Sequence, residues 1–110
     1  MFKPILKNTE EIMNFINEFA SEPIDEELVR EYFYGCKAIL KIVLVHSLKQ
    51  GNEDYHIKNF EKEKRYELLP FETMPPLIIE NDKVIDGNHR LRIAKKKHIK
   101  KINVYEIISL

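Results

Sequence analysis

The chain has 110 residues, 44% hydrophobic and 33% charged, a composition typical of soluble globular domains. This length suits a single domain with its own hydrophobic core. The sequence has no apolar run near the ~20 residues that a membrane span needs. The start, Met1-Phe2-Lys3-Pro4, lacks the apolar region of a signal peptide, and the single cysteine, Cys36, excludes an internal disulfide. These features predict a cytoplasmic protein.

The formal net charge of zero hides two oppositely charged regions. Residues 1–35 carry three basic and eight acidic side chains, whereas residues 36–110 carry fifteen basic and ten acidic ones. A basic C-terminal region of this kind favours a phosphorylated ligand or a nucleic acid. The alternative is that its lysines form a solvated helix face and that the acidic third packs against them.

Two helices are predicted in the first third of the chain. Asn8 precedes an apolar stripe at helical spacing and has Glu11 three residues later, the pattern of an N-cap with its partner. After a break at 21–23, Asp25 starts a second helix, and Gly35 ends it as a C-cap. The predicted apolar faces are Ile12, Phe15, Ile16 and Phe19 in the first helix, and Leu28, Val29, Tyr32 and Phe33 in the second.

The rest of the chain predicts a small mixed sheet with one packed helix. Residues 49–65 are polar and charged, as in a loop that is either a functional lid or a surface insertion. Asn81-Asp82 has the chemistry of a tight hairpin turn. Strands are predicted over 38–45, 77–80, 83–85 and 102–107, and a helix over 89–98. The prediction is therefore a single-domain α+β fold over 1–110, with a helical extension over 1–36 and a core over 37–110.

The segment from Val84 to Ala94 carries the chemistry of greatest interest. It reads as a strand, a glycine turn and a helix that opens on His89-Arg90. A helix N-terminus favours an anion through its unpaired N–H groups and its dipole, and Gly87 permits close approach of the backbone. Because Arg90 can pair bidentately with phosphate oxygens, the segment predicts a phosphate-binding turn. The alternative is an ordinary strand–turn–helix junction with solvated side chains.

The region from Leu40 to Ile107, about two-thirds of the chain, resembles the ParB/sulfiredoxin-like domain, also called the ParB N-terminal-like domain. The resemblance rests on Val45-His46-Ser47-Leu48, Met74-Pro75-Pro76-Leu77-Ile78-Ile79, Ile85-Asp86-Gly87-Asn88-His89-Arg90-Leu91-Arg92-Ile93-Ala94 and Ile102-Asn103-Val104-Tyr105.

Members of this superfamily bind or act on nucleotides. They include partition proteins that bind and hydrolyse CTP, sulfiredoxins that use ATP, and free-serine kinases. The resemblance therefore implies a compact core that binds the phosphates of ATP or CTP at the turn from Asp86 to Arg90. It further implies Mg²⁺ as a companion of the nucleotide, and NTPase or small-molecule kinase activity as the reaction.

Two positions depart from the family pattern. Asn88 stands where a sulfiredoxin has its nucleophilic cysteine, and an amide cannot perform thiolate chemistry, so sulfiredoxin activity is not expected. Cys36 lies outside the motif and is predicted to be a small buried residue. The family's usual glycine after the motif helix is replaced by Lys97-His98-Ile99, which makes the end of the helix hard to place.

For an enzyme, the motif suits phosphoryl or nucleotidyl transfer. Gly87, Asn88, His89 and Arg90 are the predicted phosphate-binding residues, and Asp86 and His89 are the predicted catalytic ones. Asp86 would hold Mg²⁺ or act as a base, whereas its alternative role is to accept backbone N–H bonds at the turn. Arg92 is a weaker candidate because it points away from Arg90 along the helix.

Other polar residues give weaker indications. Glu53, Asp54 and His56 lie in the polar loop and could supply a base or a metal ligand, although nothing in their spacing requires it. His46 and His98 are predicted to be structural or solvated, and no zinc pattern is present.

The alternative function is a non-catalytic module that binds nucleic acid or a protein partner through the basic C-terminal third. Lys95 to Lys101 would contact phosphates, and because no aromatic stacking platform is evident, binding would tolerate any sequence and weaken steeply with salt. The superfamily also includes domains labelled nuclease-like, but a pair of clustered carboxylates for metal ions is not evident here.

Overall fold

The computed structural model describes residues 2–19, 24–51 and 74–109. A 3-10 turn at Val45–Ser47 follows the second strand. The strands are Ile5–Leu6 (β1), Cys36–Leu44 (β2), Leu77–Glu80 (β3), Lys83–Asp86 (β4) and Lys101–Ser109 (β5), and the α-helices are Thr9–Phe19 (α1), Glu26–Tyr32 (α2) and Asn88–Lys96 (α3).

The strands form one mixed sheet in the order β1-β2-β5-β3-β4. Neighbouring strands are antiparallel except β3 and β5, which are parallel. β2 and β5 pair over their full lengths, from Cys36 opposite Ser109 to Leu44 opposite Lys101. The structure thus confirms the predicted α+β class and small mixed sheet. It also adds β1, a short strand within the predicted helical extension.

Helices cover both faces of the sheet because successive strand residues point to opposite faces. One core packs α1 and α2 on the sheet through Ile12, Phe15, Ile16, Val29, Phe33, Ala38, Ile78, Tyr105 and Ile107. The other packs α3 on the opposite face through Leu77, Ile79, Val84, Leu91, Ala94, Ile102 and Val104. Cys36 is buried in the first core, as predicted.

The two N-terminal helices begin where the sequence predicts. The Asn8 side chain accepts the backbone N–H of Glu11 at 3.0 Å, and Asp25 accepts those of Glu27 and Leu28. The predicted apolar face of α2 is only half right, because Val29 and Phe33 are fully buried whereas Leu28 and Tyr32 are 42% and 52% exposed. The apolar stripe that the seven-residue α2 packs against the sheet is therefore narrower than the one predicted from sequence.

The N-terminal segment is tied to the last strand by one buried phenol. The Tyr105 hydroxyl donates to the backbone carbonyl of Lys3 at 2.6 Å, and its ring packs edge-on against Phe15. Burial raises the pKa of Tyr105. None of the described helices is long and apolar enough to cross a bilayer.

In two connections, residues other than glycine adopt the left-handed backbone conformation. Asn81 and Asp82 have φ of 51° and 64°, the conformation of the tight hairpin turn predicted between β3 and β4. At the end of α3, His98 has φ of 56°. The N–H of Ile99 donates to Ala94 O and that of His98 to Lys95 O, so His98 occupies the usual glycine position of a Schellman motif.

Candidate functional site at the start of helix α3

The motif turn, defined as Asp86 to Arg90, carries the chain from β4 directly into α3. Gly87 is the N-cap residue, with a left-handed φ of 103° and no side chain to cap the helix. A Cβ at this position would lie 2.6 Å from Leu77 Cδ2 and 3.0 Å from Arg90 Nη2. Both the backbone conformation and the surrounding space therefore require glycine here.

The Arg90 side chain is buried beneath the motif turn rather than presented at the surface. It is 1% exposed, and its Nη1 donates to the carbonyl oxygens of Pro75 at 3.0 Å and Pro76 at 2.8 Å. Its Nη2 donates to Asp86 Oδ2 at 3.0 Å. A guanidinium held by three protein oxygens fixes the turn against the segment before β3, and in this arrangement it is shielded from a ligand.

Asp86 is the anionic partner of that guanidinium. The carboxylate is 1% exposed and lies one helical turn before Arg90, so the two form a buried ion pair across the turn. The ion pair is a further role for Asp86 beside the two considered from sequence, which were a Mg²⁺ ligand or base and an acceptor of backbone N–H groups. A buried pair is strongly destabilised when one partner is lost, because the other charge is left in a medium of low polarity.

Asn88 joins the motif turn to the chain that follows β2. Its Nδ2 donates to Gly51 O at 2.6 Å, and its Oδ1 accepts the Gly51 N–H at 2.9 Å. Lys49 runs beside β4, where its N–H donates to Asp82 O and its carbonyl accepts the Val84 N–H. Asn88 therefore holds the backbone of Gly51 through two hydrogen bonds.

His89 in the first turn of α3 and Arg92 at the start of the second bring an imidazole and a guanidinium together. Arg92 Nη2 lies 3.3 Å from His89 Nδ1, three residues earlier on the same helix face. His89 is buried, whereas Arg92 is exposed. Arg92 therefore lies beside His89, close to the motif turn. Sequence analysis ranked it as a weaker candidate because it points away from Arg90.

Comparison with known proteins identifies the architecture. No protein-family model matches the chain, and no curated protein matches it. Among solved structures, the C2221 form of a pNOB8-like ParB-N domain matches with 25% identity over 66% of this chain and 30% of its own, with a TM-score of 0.57. The chain has a ParB N-domain-like fold. A second structure of a pNOB8-like ParB N-domain matches with 19% identity over 66% of this chain and 28% of its own, with a TM-score of 0.44.

Within this ParB N-domain-like fold, sequence analysis missed the backbone groups that organise the motif turn. These are the carbonyls of Pro75 and Pro76 and both backbone groups of Gly51. Gly51 also fits tightly, since a Cβ there would lie 2.0 Å from Val84 O. The prolines were part of the family resemblance, but no residue pattern indicates that their carbonyls face an arginine.

The remaining candidate residues lie either at the other end of α3 or outside the described residues. His46 and His98 lie at the C-terminal end of α3, where they line a groove with Lys95 and Lys100. Glu53, Asp54 and His56, with the rest of the predicted loop beyond Gly51, fall outside the described residues. No group of three His, Cys, Asp or Glu side chains in the described ranges could hold a metal ion.

Proposed function

We propose that the chain binds the phosphate groups of a nucleotide, ATP or CTP, at the motif turn. The observation that carries this proposal is the start of α3, where a helix begins at a glycine without a capping side chain and next to His89 and Arg92. A helix N-terminus offers backbone N–H donors and a positive dipole end to an anion. The ParB N-domain-like fold supports the same site, because the resemblance implies phosphate binding at this turn.

The contacts divide the five motif residues into two groups. Gly87 and His89 are the proposed ligand-binding residues, with the Arg92 guanidinium as an additional cation. Arg90, Asp86 and Asn88 are proposed as positioning residues, because their side chains hold the turn in place. Mg²⁺ would arrive on the nucleotide phosphates, since Asp86 is engaged by Arg90.

A thermal-shift panel tests the proposal. Wild-type protein is heated with ATP, ADP, CTP or GTP, with and without Mg²⁺, because a ligand at 100 times its Kd stabilises by about 2.7 kcal/mol. We expect a shift with at least one nucleotide. Arg92→Gln should weaken it about tenfold in Kd, whereas Lys7→Gln, which removes the same charge far from the turn, should leave it unchanged.

Two results would argue against the site. One is the absence of any shift with all four nucleotides. The other is an equal loss in the Arg92→Gln and Lys7→Gln variants, which would mean that net charge alone attracts the ligand. If one nucleotide binds, its turnover with and without Mg²⁺ then measures whether the turn also supports NTPase activity.

A further inference from the structure

The groove that His46 and His98 line lies at the opposite end of α3 from the motif turn. It has a volume of about 690 Å³, within the usual range of ligand sites. We call it the basic groove, and it is lined by Leu44, Val45, His46, Lys95, His98, Ile99 and Lys100.

Both walls of the basic groove are fixed by backbone hydrogen bonds. The N–H of Val45 donates to Lys100 O at 2.9 Å, which joins the end of β2 to the start of β5. The Schellman bonds from His98 and Ile99 close the end of α3. These bonds also occupy the carbonyls of Lys95 and Ala94, two of the helix-terminal groups that would otherwise repel an anion.

The charged side chains that line the basic groove, Lys95 and Lys100, are both cationic. Its lining comes from residues 44–46 and 95–100, which contain four lysines and no Asp or Glu. Lys95 and Lys100 are exposed, and within 2–19, 24–51 and 74–109 no acidic side chain pairs with either. Such a surface attracts a polyanion.

The floor of the basic groove favours a ligand with flat, apolar parts. Leu44 is 43% exposed, and the His46 and His98 side chains are also exposed beside it. Histidine rings stack on unpaired nucleobases, while lysines contact the phosphates between them. The sequence alone indicated no stacking platform because these two histidines are 52 positions apart in the chain and line the same groove only in the fold.

We propose that the basic groove binds single-stranded nucleic acid, with Lys95 and Lys100 on phosphates and the two imidazoles on bases. Single strands fit better than duplexes, whose bases are already stacked, and better than acidic peptides, which lack regularly placed flat rings. This site is separate from the motif turn, so either proposal can fail without the other.

Fluorescence anisotropy with a labelled oligothymidylate of about 12 nucleotides tests the charge requirement. The Lys95→Gln/Lys100→Gln double variant should bind about tenfold more weakly, and its slope of log K against log salt should fall by about 1.4. The Lys7→Gln/Lys37→Gln variant has the same net charge and should lose less than about twofold. Equal losses in the two variants would overturn the proposal.

A second variant tests the stacking requirement without disturbing the fold. His98→Gly removes the imidazole while keeping a residue suited to the left-handed backbone, so it should reduce affinity about tenfold without lowering the Tm. Wild-type affinity in this variant would overturn the proposal. Displacement of the oligonucleotide by polyglutamate of equal charge, or tighter binding of a duplex of equal length, would overturn it as well.

Discussion

The two ends of α3 use their polar residues in opposite ways. At the N-terminal end, Asp86, Asn88 and Arg90 are buried and bonded to other parts of the protein. At the C-terminal end, Lys95 and Lys100 are exposed and line an open groove. In the first arrangement the polar side chains hold the motif turn in place, whereas in the second the lysine side chains are left accessible to solvent. Substitutions at the two ends should therefore differ in their effect on stability.

The largest effect is expected from Arg90→Ala. It removes the guanidinium that pairs with the buried Asp86 carboxylate and bonds two proline carbonyls, which should lower the free energy of unfolding by about 3–5 kcal/mol. Urea unfolding measures the loss. Arg92→Ala removes the same side chain from an exposed position of the same helix and should cost no more than about 0.5 kcal/mol. Similar losses in both variants would refute the buried role of Arg90.

The next largest effect concerns the glycine at the start of α3. Gly87→Ala places a Cβ 2.6 Å from Leu77 Cδ2 in left-handed backbone and should cost about 2–3 kcal/mol. Gly35→Ala is the matched control, since Gly35 also has positive φ but has no atom within 4 Å of the added Cβ. It should cost about 1 kcal/mol in the same urea titration, and equal costs would mean that strain alone explains Gly87.

A smaller effect is expected from the clamp on Gly51. Asn88→Ala removes two hydrogen bonds and should lower stability by about 1–2 kcal/mol while speeding hydrogen exchange at the Gly51 amide. Asn88→Asp keeps the shape but turns the donor toward Gly51 O into an acceptor, so it should be no more stable than the alanine variant. Unchanged exchange at Gly51 in both would show that the clamp is dispensable.

The smallest expected effect is at the C-terminal end of α3, and it is an increase in stability, not a loss. His98→Gly should raise the free energy of unfolding by about 0.5–1 kcal/mol, because glycine adopts the left-handed conformation without strain. Lys97→Gly, one residue earlier at a negative φ, should instead lower stability by a similar amount. A destabilised His98→Gly variant would indicate that the imidazole makes contacts that fix the basic groove.

The contrast between the two ends also separates what the sequence could predict from what it could not. Local signals placed the helix caps at Asn8 and Asp25, the turn at Asn81-Asp82 and the glycine at position 87, because each depends on a few neighbouring residues. The same local patterns gave the α+β class and four of the five described strands, but not β1.

The roles of individual polar side chains were harder to predict because they depend on residues distant in sequence. Arg90 has the chemistry of a phosphate ligand, yet its partners include carbonyls 14 and 15 positions earlier. Asn88 bonds a residue 37 positions away. His98 and His46 looked incidental until the fold brought them to one groove. Periodicity and capping rules carry no information about such contacts.

The position of β5 in the sheet has a consequence for how the protein is assembled. β5 lies between the β1-β2 pair and the β3-β4 hairpin, so these two parts of the sheet share no edge without it. During synthesis both parts are made before the strand that unites them. Until β5 is made, β2 and β3 each have an unpaired edge. The pairing of β5 with both strands then joins residues far apart in sequence, which is slow and leaves the chain exposed to aggregation until it is complete. Removing residues 101–109 should therefore break the continuous sheet, leaving the β1-β2 pair and the β3-β4 hairpin on one chain but without the strand that pairs with both.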